Sequence, residues 1–224
     1  MLPESNSDAP LSRERFARLP GEIANAVTHG IGLVLSIVGA VVLIMLAVRF
    51  GTARHVAGAA IFGATLVLLY AASTCYHAVC RVRLKERLRL LDHLAILYLI
   101  AGSYTPYAIV MARPWGLAML AAVWAMALGG TVFKLVSKRR FDDRMTWIYI
   151  AMGWVSLAFA KPLIEALPAG GLGWLAAGGL LYTGGVFFYL RDRPRFDHAV
   201  WHLFVLGGSV CHYVSVFRYV MPWP

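Results

Sequence analysis

The 224-residue chain is 60% hydrophobic and only 14% charged, which is more apolar than the surface of a soluble domain can be. This composition excludes a soluble globular protein and predicts an all-α integral membrane protein. The formal net charge of +10 is spread over short loops rather than gathered on one face, so it does not indicate nucleic-acid binding. Attraction of these loops to anionic lipid headgroups is sufficient to account for the charge.

Seven apolar runs follow one another along the chain, and each is long enough to cross a bilayer as a helix. Such a helix needs about 20 apolar residues to span roughly 30 Å of hydrocarbon. Residues 1–18 are rich in Ser, Pro and charge and are predicted to form a disordered cytoplasmic tail. Residues 19–224 are predicted to form one seven-helix transmembrane domain. Its spans are expected at approximately 25–48, 56–80, 90–112, 115–136, 145–164, 172–190 and 198–220.

The distribution of basic residues predicts the orientation of this bundle. If the seven spans alternate in direction, sixteen of the 21 Lys and Arg residues lie on the same side of the membrane as the N-terminus. Cytoplasmic loops of membrane proteins carry the excess of Lys and Arg. The N-terminus is therefore predicted to be cytoplasmic and the C-terminus to lie outside.

Ionisable side chains near these spans are functional candidates, because such groups are costly in a bilayer. Four helix ends bring their polar side chains to the same predicted cytoplasmic leaflet. The members are Glu22, Asn25 and His29 in the first span, Ser73 and His77 in the second, Asp92 and His93 in the third, and His198 and His202 in the seventh. The three residues of the first span form a single stripe, at i, i+3 and i+7. His212 follows His202 by ten residues, about 15 Å further along the helix, which is too far for it to join the same site.

His198 and His202 are one helical turn apart, so both imidazoles can point at one site. Two histidines on one face of a helix are a common way to hold zinc. Interfacial histidines that are hydrogen-bonded to lipid headgroups or backbone are the alternative interpretation. The metalloprotease pattern HExxH is absent, because Ala199 stands where the general-base Glu would be. A base would therefore have to come from another helix.

Asp92 is the predicted acid–base partner. With His77 as a third ligand, zinc would keep its fourth position open for water, which is the arrangement of catalytic zinc sites. Zinc lowers the pKa of bound water toward about 7, and a nearby carboxylate can take the proton or orient the water. Ser73, one turn from His77, is predicted to hydrogen-bond the water or the carboxylate. The alternative roles for Asp92 are a helix N-cap or an ion pair with Arg89.

Four segments carry a resemblance to a known family: EIANAVTHGIG, STCYHAVC, LLDHLAI and DHAVWHLFVL, in this order. They resemble the successive signatures of the hemolysin III group of the progestin and adipoQ receptor family. The resemblance covers the chain from about residue 19 to about residue 220. It implies a seven-helix bundle with a cytoplasmic N-terminus, and zinc held by His77, His198 and His202. The serine and aspartate positions of the family correspond to Ser73 and Asp92.

The family is also distantly similar to alkaline ceramidases, which are zinc-dependent amidases of membranes. This similarity favours a zinc-dependent hydrolase of lipid amides or esters that acts in membrane lipid homeostasis. The alternative is a non-enzymatic regulator or sensor of membrane state with a structural zinc. A channel or cytolysin ranks below both, because the apolar spans offer no wide polar lining. The resemblance implies a multi-pass protein of the bacterial inner or cytoplasmic membrane, with membrane lipids as partners and no soluble protein partner.

Overall fold

The computed structural model describes residues 13–137, 144–191 and 196–222, and this part of the chain is a bundle of helices without strands. Seven of its helical segments are long and apolar enough to cross a membrane. The prediction of an all-α protein with seven spans is therefore confirmed, whereas the orientation of the termini stays a prediction. The spans run Pro20–Phe50, Ala53–Ala78, Val82–Val110, Arg113–Val136, Met145–Ala166, Ala169–Arg191 and Asp197–Val220.

The individual helices follow these spans closely, with one interruption in the fifth. They are α1 (Arg13–Phe50), α2 (Ala53–Ala78), α3 (Val82–Val110), α4 (Arg113–Val136), α5 (Arg144–Gly153), α6 (Ala160–Ala166), α7 (Ala169–Arg191) and α8 (Asp197–Ser215). A 3₁₀ segment, Val155–Phe159, joins α5 to α6, and a π-helical turn, Val216–Val220, follows α8.

The first helix begins earlier than the apolar run that predicts it. α1 starts at Arg13, inside the segment that was expected to be a disordered tail up to residue 18. Residues 13–19 are Arg, Glu, Arg, Phe, Ala, Arg and Leu, most of which have a high helix propensity and can extend the helix beyond the membrane. Residues 1–12 of the predicted tail lie outside the described residues.

The fifth span is broken near its middle, where an unbroken helix over residues 145–164 was expected. Gly153 ends α5, and glycine is a poor residue for a helix interior. Tyr104 of α3 satisfies backbone groups at the break: its hydroxyl donates to the Gly153 carbonyl at 2.5 Å and accepts from the Ser156 N–H at 3.1 Å. Such compensation is needed because backbone groups within a membrane have no water to bind.

The packing of the bundle places α2 and α3 at its centre, since these two helices are the most buried. α1 packs against α2 and α8, α2 against α3, α3 against α4, and α7 against α8. α1 and α2 approach closely because small residues face each other: a Cβ added at Gly63 would lie 2.6 Å from the Ala40 Cβ. The starts of α1 and α8 and the end of α2 thereby meet at one end of the bundle.

The bundle has two ends, which we call the histidine end and the far end. The histidine end carries Glu22, His77, Asp92 and His198. The far end is the opposite one, where α3 continues into α4 and α6 continues into α7.

Candidate metal centre

Three histidines from two helices meet at the histidine end. His77 lies in the last turn of α2, and His198 and His202 lie in the first two turns of α8. Each offers a ring nitrogen, and these three atoms all lie within 4.8 Å of one another. His77 and His202 are buried, whereas His198 is half-buried. The structure therefore brings together the three side chains that were predicted to be zinc ligands.

The ring nitrogens that could bind a metal have no hydrogen-bond partner in the protein. The Nε2 atoms of His77, His198 and His202 are all buried and all unbonded. Each buried polar atom without a hydrogen-bond partner destabilises the fold by about 1–3 kcal/mol. Three such atoms close together therefore indicate that a ligand binds there. Neutral imidazole nitrogens are good ligands for Zn²⁺, and three of them leave one position of a tetrahedral site open. The donor set thus fits a zinc ion.

The first helix orients His77 through a carboxylate. The Nδ1 atom of His77 lies 2.9 Å from Glu22 Oε2, and Lys85 Nζ donates to the same oxygen at 2.8 Å. The amide nitrogen of Asn25 is further from Nδ1, at 3.4 Å. Donation from Nδ1–H to the carboxylate places the free lone pair on Nε2, which is the orphan atom. Glu22, whose role the sequence left open, therefore supports the candidate centre.

The same helix also holds His202. Its Nδ1 lies 3.3 Å from the Asn25 carbonyl oxygen and 3.3 Å from Thr28 Oγ1. His29 stacks on the His202 ring with 3.5 Å between centroids and 9° between planes. Thr28 was not singled out from the sequence, although it is three residues after Asn25 and so lies beside the polar stripe of α1. The stripe accordingly faces the candidate ligands rather than lipid.

Asp92 and Ser73 are both buried at this end, with 6% and 1% of their surfaces exposed. Ser73 lies beside the Asp92 carboxyl, yet its Oγ makes no hydrogen bond of standard geometry. Arg89 and Lys134 are the neighbouring cations. The alternative role of Asp92 as an N-cap is wrong, because α3 begins at Val82 and Asp92 is well inside the helix.

A cavity of about 810 Å³ extends from the histidine end into the bundle. Its volume is within the range of about 300–1,000 Å³ that is typical of small-molecule sites. Most of the lining side chains are aliphatic or aromatic. The polar residues that line it at the histidine end include Glu22, Asn25, His29, His77, Arg89, Asp92, His93 and His198. Two of the candidate ligands, His77 and His198, and the candidate base therefore face one largely apolar space, whereas His202 is fully buried and does not line it.

Fold and site together define a class of protein: a seven-helix membrane protein with a largely buried three-histidine centre at one end of a cavity. The family described as Haemolysin-III related matches residues 17–213 of the chain. The chain belongs to this family, which is the hemolysin III group of the progestin and adipoQ receptor family, and the family predicted from the four segments is confirmed.

Individual relatives agree with this assignment. The chain is 45% identical to Hemolysin-3 of Bacillus cereus over 202 residues, which cover 90% of this chain and 92% of that one. It is 42% identical to the Hemolysin-3 homolog of Bacillus subtilis (strain 168), over 91% and 96% of the two chains. It is 30% identical to the monocyte to macrophage differentiation factor of Homo sapiens, over 90% and 85%. The seven spans and the bacterial relatives make it a multi-pass protein of the cell membrane.

Proposed function

We propose that this protein is a zinc-dependent hydrolase of lipid amides or esters that acts in membrane lipid homeostasis. The observation that carries the proposal is the convergence of three orphaned histidine nitrogens at one end of a cavity of about 810 Å³ that the buried Asp92 also lines. His77, His198 and His202 would hold the zinc. When bound, zinc supplies a Lewis acid that polarises a carbonyl and lowers the pKa of water from about 15.7 to about 7.

Three side chains of the protein carry out the proton transfer and the positioning. Asp92 accepts the proton of the attacking water and returns it to the leaving amine or alcohol. Of the two carboxylates that line the cavity with His77 and His198, Glu22 is already bonded to His77 and Lys85, which leaves Asp92 as the base. Ser73 is a positioning residue that rotates to donate to the Asp92 carboxylate. Glu22 fixes the orientation of His77 through the 2.9 Å contact at Nδ1.

The lining of the cavity supports a lipid substrate. Aliphatic and aromatic side chains contributed by α2, α3, α5, α6, α7 and α8 form most of the wall. An acyl chain buried against this wall is removed from water, which contributes about 0.8 kcal/mol for each buried CH₂ group. The scissile amide or ester then lies at the histidine end, with its carbonyl toward the histidines and its leaving group toward Asp92.

Hydrolysis by the zinc-loaded protein tests this function. Protein purified in lipid nanodiscs is incubated with ceramides, acyl amides and phospholipids, and released fatty acid is measured by mass spectrometry. Wild type is expected to release fatty acid, and Asp92→Asn is expected to retain zinc but lose turnover. Zinc-containing wild type that releases no fatty acid from any of these lipids, single turnovers included, contradicts the proposal.

A second candidate function is a non-enzymatic regulator or sensor of membrane state with a structural zinc. It is favoured by one observation: His77 and His202 are tied to α1 through Glu22 and Asn25, so a metal here would link α1, α2 and α8. This candidate predicts that His77→Ala lowers thermal stability together with function. It also predicts that Asp92→Asn leaves both unchanged, which separates it from the hydrolase.

A further inference from the structure

A second group of polar side chains, most of them buried, lies toward the far end of the bundle beside the same cavity. We call Tyr107, Tyr182, Ser209 and His212 the far polar site. His212 is ten residues beyond His202 on α8, so it lies about 15 Å further along the helix. Tyr107 is in the last turn of α3, and Tyr107, Tyr182 and His212 all line the cavity.

Two members of the far polar site have no hydrogen-bond partner, although both are deeply buried. His212 is 9% exposed and Tyr107 is 1% exposed, and neither ring nitrogen of His212 nor the hydroxyl of Tyr107 is bonded. The Leu175 carbonyl lies near the His212 ring, but outside hydrogen-bond geometry. Ser215 lies near the Tyr107 hydroxyl, but outside hydrogen-bond geometry, and it donates to the Gly171 carbonyl at 2.8 Å.

The neighbouring polar groups at this depth have hydrogen-bond partners in the protein, so the lack of a partner distinguishes Tyr107 and His212 from them. Ser209 Oγ lies 2.8 Å from the hydroxyl of Tyr70 and 2.8 Å from that of Tyr182. Tyr104, one turn before Tyr107 on α3, also lines the cavity and bonds to the backbone at the break in the fifth span. Since buried polar groups are almost always paired, unpaired ones that face a cavity indicate a ligand.

The His212 ring is held in place rather than free to turn away. It stands edge-on to the Tyr182 ring, with 5.4 Å between centroids and 80° between planes. The ring edge that carries Cδ2 and Nε2 lies against Gly178 of α7, where an added Cβ would overlap the ring. The close contact between Gly178 of α7 and the imidazole of α8 therefore fixes the ring position. In this position neither ring nitrogen has a hydrogen-bond partner in the protein.

We propose that the far polar site binds a hydroxyl group carried on the acyl chain of the lipid. A neutral imidazole offers one donor and one acceptor, a tyrosine hydroxyl offers both, and a ligand hydroxyl matches each of them. The helix geometry places this hydroxyl about 15 Å from the group at the histidine end. The inference rests on the proposed function only in assuming that the carboxyl or acyl carbonyl of the lipid lies at the histidine end.

Direct binding of fatty acids tests this inference without depending on turnover. Zinc-loaded protein with Asp92→Asn, in nanodiscs, is titrated with fatty acids of one length in which a hydroxyl is moved along the chain. Affinity is measured by displacement of a fluorescent fatty acid. The acid whose hydroxyl lies about 15 Å from its carboxyl is expected to bind roughly threefold to tenfold more tightly than the unsubstituted acid, the value of one or two net hydrogen bonds.

Three further variants, made in the Asp92→Asn protein, locate the effect. Tyr107→Phe removes only the orphaned hydroxyl, and Gly178→Ala displaces the His212 ring; both are expected to abolish the preference for the hydroxylated acid. Tyr107→Phe is also expected to leave the melting temperature unchanged or raised, because the lost group has no partner in the protein. Tyr104→Phe is the matched control, since its hydroxyl is already satisfied within the protein, and it should keep the preference.

Several results would overturn the inference. These are equal affinities for hydroxylated and plain acids, binding of neither acid, or a preference that survives in both Tyr107→Phe and Gly178→Ala. Failure of the proposed function looks different: wild type would release no fatty acid, while the Asp92→Asn protein still prefers the hydroxylated acid. Hydrolysis without any hydroxyl preference leaves the proposed function standing and removes this inference alone.

Discussion

Replacing Glu22 with Ala is expected to weaken zinc binding although Glu22 is not itself a predicted ligand. Its Oε2 atom accepts from His77 Nδ1 at 2.9 Å, and Lys85 donates to it at 2.8 Å. The Lys85 contact is partly exposed and is worth at most about 1 kcal/mol. Loss of the carboxylate that orients a metal-binding histidine typically costs about 10- to 100-fold in metal affinity. We therefore expect the dissociation constant for zinc to rise by this factor, or about 1.4–2.7 kcal/mol.

Competition with a chromophoric chelator of known affinity measures this change in detergent-solubilised protein. Lys85→Ala is the matched control, because it removes the ion pair and leaves the contact between Glu22 and His77; its zinc affinity should stay within about twofold of wild type. Glu22→Gln keeps an acceptor oxygen and should recover part of the lost affinity. Zinc affinity in Glu22→Ala equal to that of wild type would refute the role assigned to Glu22.

Three other changes have expected outcomes. Removing zinc with a chelator should lower the melting temperature, because a ligand present at 1,000 times its dissociation constant stabilises the fold by about 4 kcal/mol; identical melting curves with and without zinc would contradict a metal centre that bridges helices. Asp92→Asn should lower turnover by about 10²- to 10⁴-fold at unchanged zinc content, measured as released fatty acid, and unchanged turnover would rule out Asp92 as the base. Tyr104→Phe should lower the free energy of unfolding by about 1–3 kcal/mol, because it strips the hydrogen bonds at the break in the fifth span. Chemical denaturation in mixed micelles checks this value, and a variant as stable as wild type would show that the break does not need the hydroxyl.

The hydropathy of the chain was sufficient to predict seven spans, because a bilayer imposes the same length requirement on every one of them. The position of the candidate centre followed from a further regularity. His77, Asp92, His198 and His202 all occur near the ends of predicted spans at one predicted leaflet, and the structure brings the three histidines together. In a bundle of seven helices, the helix ends at one leaflet lie close to one another. Polar side chains at these ends therefore have a high chance of contact.

Other features depend on tertiary contacts that no local pattern encodes. The break in the fifth span needs Tyr104, which is about fifty residues away in sequence, to satisfy the freed backbone groups. The partners of His77 and His202 on α1 could be suspected from the stripe of polar residues, but which atoms they contact depends on how α1 crosses α2 and α8. The orphaned nitrogens of His212 could not be predicted at all, because a buried histidine usually finds a partner.

The most direct test of the central claim is the metal content of purified protein. Wild type and the variants His77→Ala, His198→Ala and His202→Ala are purified identically, and zinc is measured by mass spectrometry. Folding of each is checked by its helical circular dichroism. The three-histidine centre predicts about one zinc per chain in wild type and a large loss in each variant. Wild-type protein without bound zinc, or folded variants that keep it, would contradict the account.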